Sequence, residues 1–255
     1  MFLVYIGESG DTGSSRNDPN QQHQVYTGLV VHENQYVAIN GEFNALCRRH
    51  FGAPLGSDDT PDRLRPADLY QGRGFFRSWS PARRAELIQD CLNVLIRRET
   101  PVIVTYVDKA QLDQARENEN PTAAGWNTPS EAIVAKFLFA LNMYMDEAAI
   151  ADIPADNIMD DTGPIKDFAL VVAETGKSVE PSYMSRFLHS EVEIPTPIVL
   201  ENFCYTGAAE SVCTQLSNIC AYFSRRWLQN PSGAHGYFDA LRDGRVIQVV
   251  YSVQF

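Results

Sequence analysis

No apolar run in the 255-residue sequence approaches the roughly 20 residues that cross a bilayer. The first residues, MFLVYI, lack the basic segment and small-residue cleavage site of a secretory leader. Both absences predict an intracellular, cytoplasmic protein with no membrane partner. Five cysteines are present, at Cys47, Cys91, Cys204, Cys213 and Cys220, and no two form a C-x-x-C pair. The histidines keep no metal-ligand spacing with them. The pattern argues against a disulfide scaffold and a zinc site, and predicts free, buried thiols. Positive charge is scarce, with 21 Lys and Arg against 32 Asp and Glu, for a net charge of −11. That balance disfavours broad adhesion to phosphate backbones. It leaves room for a metal-dependent nuclease, whose centre needs clustered acids. The cations are also uneven. Arg63, Arg65, Arg73, Arg77, Arg83 and Arg84 crowd one segment, and Arg225 and Arg226 stand late, so a local basic surface is one reading and solvated helix faces are the other.

Apolar content of 44% is enough for a sizeable core, and the length fits one domain, 1–255, with an irregular insertion around 52–79. FLVYI is apolar on both faces and reads as a buried central strand. Gln24 to His32 (QVYTGLVVH) reads as a second, joined to the first through a turn-rich tip that suggests a hairpin. Glu33 to Phe51 reads as a helix weakened by Gly41. Ser80 is placed as an N-cap with Pro81 behind it, opening a helix to about Arg98 with an apolar stripe at Leu87, Ile88, Cys91, Leu92, Leu95 and Ile96. Pro101 to Asp108 reads as a strand, residues 117–128 as a polar loop, and Pro129 to about Ala149 as a long helix. NIMDD (Asn157 to Asp161) reads as a short strand ending in two acids. Phe168 to Ala173 fits either helix or strand. PIVLENFCY (Pro197 to Tyr205) suggests a strand, Ala208 to Leu228 a helix, and GRVIQVVYSVQF a terminal strand. Antiparallel strands followed by alternating strands and helices predict an α/β fold with a mixed sheet.

Two D-T-G triplets, Asp11-Thr12-Gly13 and Asp161-Thr162-Gly163, look like the paired aspartates of pepsin-like proteases. The context opposes that reading. Ser9-Gly10 separate the first aspartate from its strand, Pro164 follows the second triplet, and three long helices are foreign to an all-β protease.

A broader pattern accounts for the opening residues. YIGESGDTG resembles the stretch Y-[IV]-D-E-S-G-D-x-G that begins a bacterial and phage family, the domain-of-unknown-function family thirty-eight hundred, whose members look like RNase H-fold nucleases. LRPADLYQGRGFFRSWSPARRAELI resembles its segment I-H-A-x-D-[IL]-Y-x-G-x-G-F-F-x-x-W-x-x-x-R. VCTQLSNICAYFSRR resembles its C-terminal helix I-Q-L-A-D-L-V-A-Y-x-x-R-R, and NIMDD sits where the family has a strand ending in acid. The resemblance implies an RNase H-like mixed β-sheet flanked by helices. It also implies phosphodiester cleavage with two divalent cations, Mg²⁺ or Mn²⁺, held by carboxylates from a central strand, a neighbouring strand and a later helix.

The sequence departs from the family at the positions that matter. The family's first aspartate falls on Gly7, its late aspartate on Asn218, the histidine of its I-H-A-x-D segment on Arg65, and an Asp-Ser pair near Gly207-Ala208. Glycine supplies no ligand, and asparagine removes a charge. The acids remaining at matching places are Glu8, Asp11, Asp68, Asp160 and Asp161, and Glu8, Asp160 and Asp161 are the candidate catalytic and metal-binding residues. Each also has a plain structural reading: Glu8 as a turn cap on the face opposite residue 7, Asp11 as an Asx-turn, Asp68 as the cap of a short helical turn. Gly7, Arg65 and Asn218 are candidate degenerate positions, with Arg65 placed to neutralise leftover acid. The expectation is a descendant of a metal-dependent nuclease with an impaired site that binds nucleic acid or a protein partner. The alternative is an active Mg²⁺- or Mn²⁺-dependent nuclease using the remaining acids. The motif order further predicts that the strands at 2–7, 24–32 and 101–107 share one sheet and that Asn218 lies close to Gly7.

Overall fold

The run FLVYIGES forms the central strand β1 (Phe2–Ser9), pairing antiparallel with β2 (His23–His32) from Phe2↔His32 to Ser9↔Val25. The computed structural model describes residues 1–10, 21–120, 126, 128–151, 168–176, 179–180, 182, 203–207, 209–233 and 235–254, the side chains of 147–151 apart. β2 pairs antiparallel with β3 (Val102–Asp108), so the three expected strands share one sheet. On the other side of β1 lies β4 (Ala169–Glu174), parallel to it, followed by the short parallel β5 (Cys204–Thr206). β6 (Ile247–Ser252) adds in parallel beside β3 and gives the order β5-β4-β1-β2-β3-β6. This is the α/β architecture expected, a mixed six-stranded sheet flanked by helices.

Helix α1 (Glu33–Phe51) starts at the N-cap His32, whose ring accepts from the Asn34 amide, and ends at Gly52, whose φ of 83° suits glycine. Residues 52–65 are irregular as expected, while α2 (Pro66–Gln71) and a 3-10 turn (Gly74–Ser78) give the rest of the 52–79 segment regular structure. Proline at the helix start supplies the first and glycines close both ends of the intervening turn. α3 (Pro81–Arg97) is capped by Ser80, which accepts from the Arg83 amide, as the sequence predicts. α4 (Lys109–Glu117), capped by Asp108, was not anticipated. α5 (Pro129–Ala151) follows the predicted periodicity. α6 (Val212–Gln229) starts four residues later than expected, because Ser211 is extended and caps it through the Thr214 amide. α7 (Gly236–Asp243) was also not anticipated.

Strand alternation sorts the core into two layers. Tyr5, Val25, Leu29 and Val104 face α1, α3 and α6, where Phe43, Leu92, Leu216 and Ile219 complete one layer. Val4, Ile6, Tyr26 and Val30 face α5, where Ile133, Phe137 and Leu141 complete the other. Full burial of each such side chain stabilises the fold by roughly 1.5–3 kcal/mol. Phe168–Ala173, which fitted helix or strand, is strand because β1 offers it an unpaired edge. The predicted strand at 157–161 and most of that at 197–205 lie outside the described residues. Four cysteines are buried as expected, but Cys204 is exposed. Burial pushes the thiols of Cys47, Cys213 and Cys220 up to about 12. No helix among the described residues is long and apolar enough to cross a membrane.

Candidate functional site

Parallel pairing of β1 with β4, in register from Phe2↔Ala169 to Tyr5↔Val172, brings their C-terminal ends together. α6 lies across those ends. It is fastened there by polar contacts rather than by apolar packing alone. The Ser217 hydroxyl donates to the Tyr5 carbonyl at 2.8 Å, and the Thr27 hydroxyl donates to the Ser217 carbonyl at 2.9 Å. Both bonds are buried, and each is worth about 1 kcal/mol net. The fastening is so close that a Cβ on Gly7 would stand 2.3 Å from the Ser217 carbonyl carbon and 2.5 Å from the Asn218 nitrogen. Asn218 is therefore next to Gly7, as the motif order predicts. Gly7 also has a packing reason to be glycine: a carboxylate there would need α6 to sit farther from the sheet.

The Asn218 side chain joins the two strands. Its Oδ1 accepts from the Glu8 amide at 3.0 Å, and its Nδ2 donates to Glu174 Oε2 at 3.0 Å. Glu174, the last residue of β4, is 6% exposed. Its other oxygen, Oε1, accepts from Arg63 Nη1 at 2.6 Å in an ion pair. Both carboxylate oxygens are thus engaged, one by a cation and one by a neutral amide. Arg63 is positioned from the same helix: Gln215 Oε1 accepts from the Leu64 amide at 2.8 Å and pins the 63–65 segment onto α6.

Around this pair runs a cleft of about 320 Å³ that includes Glu8, Asp68, Arg65 and Arg225 in its walls. It adjoins a larger one of about 670 Å³ that shares Arg63, Asp68 and Glu174 and adds Phe75 and Glu210. Strand alternation places Glu8 on the face of Val4 and Ile6, opposite Gly7. Asp68 lies in the first turn of α2, and its carbonyl accepts from Arg73 at 2.9 Å. Arg65 is exposed at the cleft rim. The cation on the buried acid is Arg63, two residues earlier, and Leu64 between the two arginines is buried in the core. The acid and serine directly before α6 are Glu210 and Ser211, a consequence of its later start. Asp11, Asp160 and Asp161 lie outside the described residues. Among the described residues, no group of three or more His, Cys, Asp or Glu side chains is arranged to hold a metal ion.

The sequence reading missed Glu174, Gln215 and Glu210, and placed Arg63 only within a basic cluster. A usable signal existed for Glu174: ALVVAE is an apolar run ended by an acid, the same pattern as FLVYIGE. For the pairing of Arg63 there was none, since its partner is 111 residues away.

No family model matches the sequence, and no curated protein matches it. The chain is similar in structure to one described as the crystal structure of Bst-RNase HIII in complex with Mn2+, at 16% sequence identity and a TM-score of 0.40. The likeness covers 96% of this chain and 63% of that one, so the chain spans less than two thirds of its length.

Proposed function

We propose that this chain is an RNase H-like protein in which the divalent-metal centre of a nuclease has given way to a metal-free, ion-paired centre, and that its cleft serves to bind a partner. The observation that carries this reading is the occupancy of Glu174. A two-metal phosphodiesterase needs carboxylates from a central strand, a neighbouring strand and a helix, all open toward the cations. Here those three places hold Gly7-Glu8, Glu174 and Asn218. Arg63 supplies the positive charge that a cation would bring, and Asn218 donates a hydrogen bond where an aspartate would accept a metal. A guanidinium stabilises a carboxylate but cannot generate hydroxide from water or take a leaving oxygen into its coordination sphere.

Nucleic acid is the partner class the cleft favours. Arg63, Arg65 and Arg225 face the same cleft as Glu8, Asp68 and Glu174, so a strongly acidic protein is locally balanced in charge there. A phosphate backbone meets less repulsion at this cleft than elsewhere on the surface. The test combines two measurements on the full chain. Thermal unfolding with and without Mn²⁺ is expected to show no shift, and cleavage of labelled single- and double-stranded DNA and RNA with Mg²⁺ or Mn²⁺ is expected to stay at background. Metal-dependent cleavage abolished by Glu174→Gln would overturn the reading.

One observation favours a second reading, an active Mg²⁺- or Mn²⁺-dependent nuclease. Glu8, Asp68 and Glu174 line one cleft, and Arg63 is about a third exposed, free enough to swing aside. Asp160 and Asp161 remain the other acids proposed for it. Cleavage lost in Asp160→Asn or Asp161→Asn would establish this alternative.

A further inference from the structure

Beyond the acidic cleft, the last turn of α6 borders a separate cavity of about 500 Å³. Its volume is in the range of small-molecule sites. Three aromatic rings make one wall: Tyr70 of α2, Phe223 of α6 and Tyr237 of α7. Phe223 and Tyr237 lie 4.6 Å apart between centroids, and Tyr70 lies 5.9 Å from Phe223. Arg226 covers the Tyr70 ring at 4.2 Å and donates to its hydroxyl at 3.2 Å. One of its five N–H groups is used there, and no described carboxylate pairs with the guanidinium. Gln89 and Gln229 add amides to the lining.

We propose that this cavity binds a nucleotide, with the base against the aromatic wall and the phosphate on the Arg226 guanidinium. Each part of the lining selects for one part of such a ligand. The accessible rings of Tyr70 and Tyr237, set edge-on at 84° beside the buried Phe223, and a stacked guanidinium favour a planar π system. The remaining guanidinium N–H groups match the fork geometry of a phosphate. An anion must also overcome a net charge of −11, and Arg226 supplies the positive charge in the lining. Arg84, whose Nη1 donates to the Tyr70 carbonyl at 2.8 Å, acts against the upward push that burial and Tyr70 exert on the Tyr237 hydroxyl. The upward push prevails, so the hydroxyl stays a proton donor at neutral pH. The proposal does not depend on the reading of the acidic cleft, because none of these groups contacts Glu174, Arg63 or Asn218.

A reporter lies next to the cavity. Trp227 stacks on the lining residue Phe238 at 4.6 Å and 10°. Full-length protein is titrated with AMP, with adenosine and with 5′-phosphorylated tetradeoxyadenylate, followed by calorimetry and tryptophan fluorescence. Saturable AMP binding is expected, with adenosine weaker. A free nucleotide as ligand is indicated if AMP matches the oligonucleotide, and a strand terminus if the oligonucleotide binds tighter; either outcome supports the site. Arg226→Gln is expected to weaken AMP by about tenfold or more, the worth of a charge-assisted hydrogen bond. Arg97→Gln, which removes a cation that pairs with Glu42 of α1 and does not line the cavity, is expected to leave it unchanged. In Trp227→Phe, AMP still binds by calorimetry while the fluorescence change is lost, which locates the site even if Arg226→Gln folds poorly. Absence of saturable binding of both phosphorylated ligands, equal weakening by Arg226→Gln and Arg97→Gln, or a fluorescence change that survives Trp227→Phe would overturn the proposal.

Discussion

Gly7 and Ser217 meet backbone to backbone: a Cβ at Gly7 would lie 2.3 Å from the Ser217 carbonyl carbon and 2.4 Å from its oxygen. Neither atom belongs to a side chain that could rotate away. Both are held in place by the buried bonds from Thr27 and to Tyr5. Gly7→Ala is therefore expected to destabilise the protein by about 1–3 kcal/mol, the usual cost of overpacking a tight site. Gly7→Asp should cost more, since it adds a charge to the same contact. Chemical denaturation of both variants checks this, and a neutral Gly7→Ala would mean that α6 retreats freely.

The Arg63–Glu174 pair is expected to behave as a partly buried ion pair. Removing the guanidinium in Arg63→Ala leaves a nearly buried carboxylate with only the Asn218 amide. The expected cost is about 2 kcal/mol, below the value for a fully buried pair because Arg63 is partly solvated. Glu174→Gln removes the stranded charge, so the double variant should be more stable than the sum of the single losses predicts. A double-mutant cycle measures that coupling, and strict additivity would mean that the pair contributes nothing.

If Arg63 stands where a cation once bound, removing it and restoring an acid should restore cation binding. The double variant Arg63→Gln, Asn218→Asp places two carboxylates together without their arginine. Like charges should lower its melting temperature, and Mn²⁺ should raise it again by binding the folded state. The parent should not respond. Melting curves of both proteins with Mn²⁺ and with chelator decide the matter; an equal response in the two would remove the link between Arg63 and a lost metal.

His23 carries a predicted pH dependence. Burial lowers its pKa from the usual 6.5, against the opposing pull of Asp108, and Arg225 and Lys109 lower it further. The unfolded chain then takes up a proton more readily than the folded protein once the pH falls below about 6.5. Stability is lost as pH drops through that value toward the folded-state pKa. His23→Gln should show a smaller fall in melting temperature between pH 7.5 and 5.5 than the parent, and an identical fall would show that His23 is not linked to folding.

Gly41 offers a simple stabilising change. It lies within α1, is exposed, and a Cβ there would meet nothing within 4 Å. Gly41→Ala is expected to stabilise the protein by about 0.5–1 kcal/mol, through helix propensity and a less flexible unfolded chain. Thermal unfolding checks it, and a loss of stability would point to strain in α1 that the contacts do not reveal.

Periodicity and end signals in the sequence determined the elements with long, regular faces: β1, β2, α1, α3, β3, α5 and β6. In these the side chains of one face must all be apolar together, and that regularity can be read locally. Motif order also placed Asn218 beside Gly7. Short elements escaped because a helix such as α2, α4 or α7 has too few turns to display a period, and its ends are set by what it packs against. The site divides in the same way. The residues of β1 and α6 were legible as a pattern, but their use was not. Only the parallel seating of β4 on β1 made Glu174 the acid at the centre, and only the loop pinned by Gln215 on α6 brought Arg63 to it. Gly7 read as a missing ligand until a helix 210 residues away was found to press on it. Contacts between distant segments depend on the crossover of the chain and on how closely two surfaces can approach, and neither quantity is written in the residues on one side of the contact.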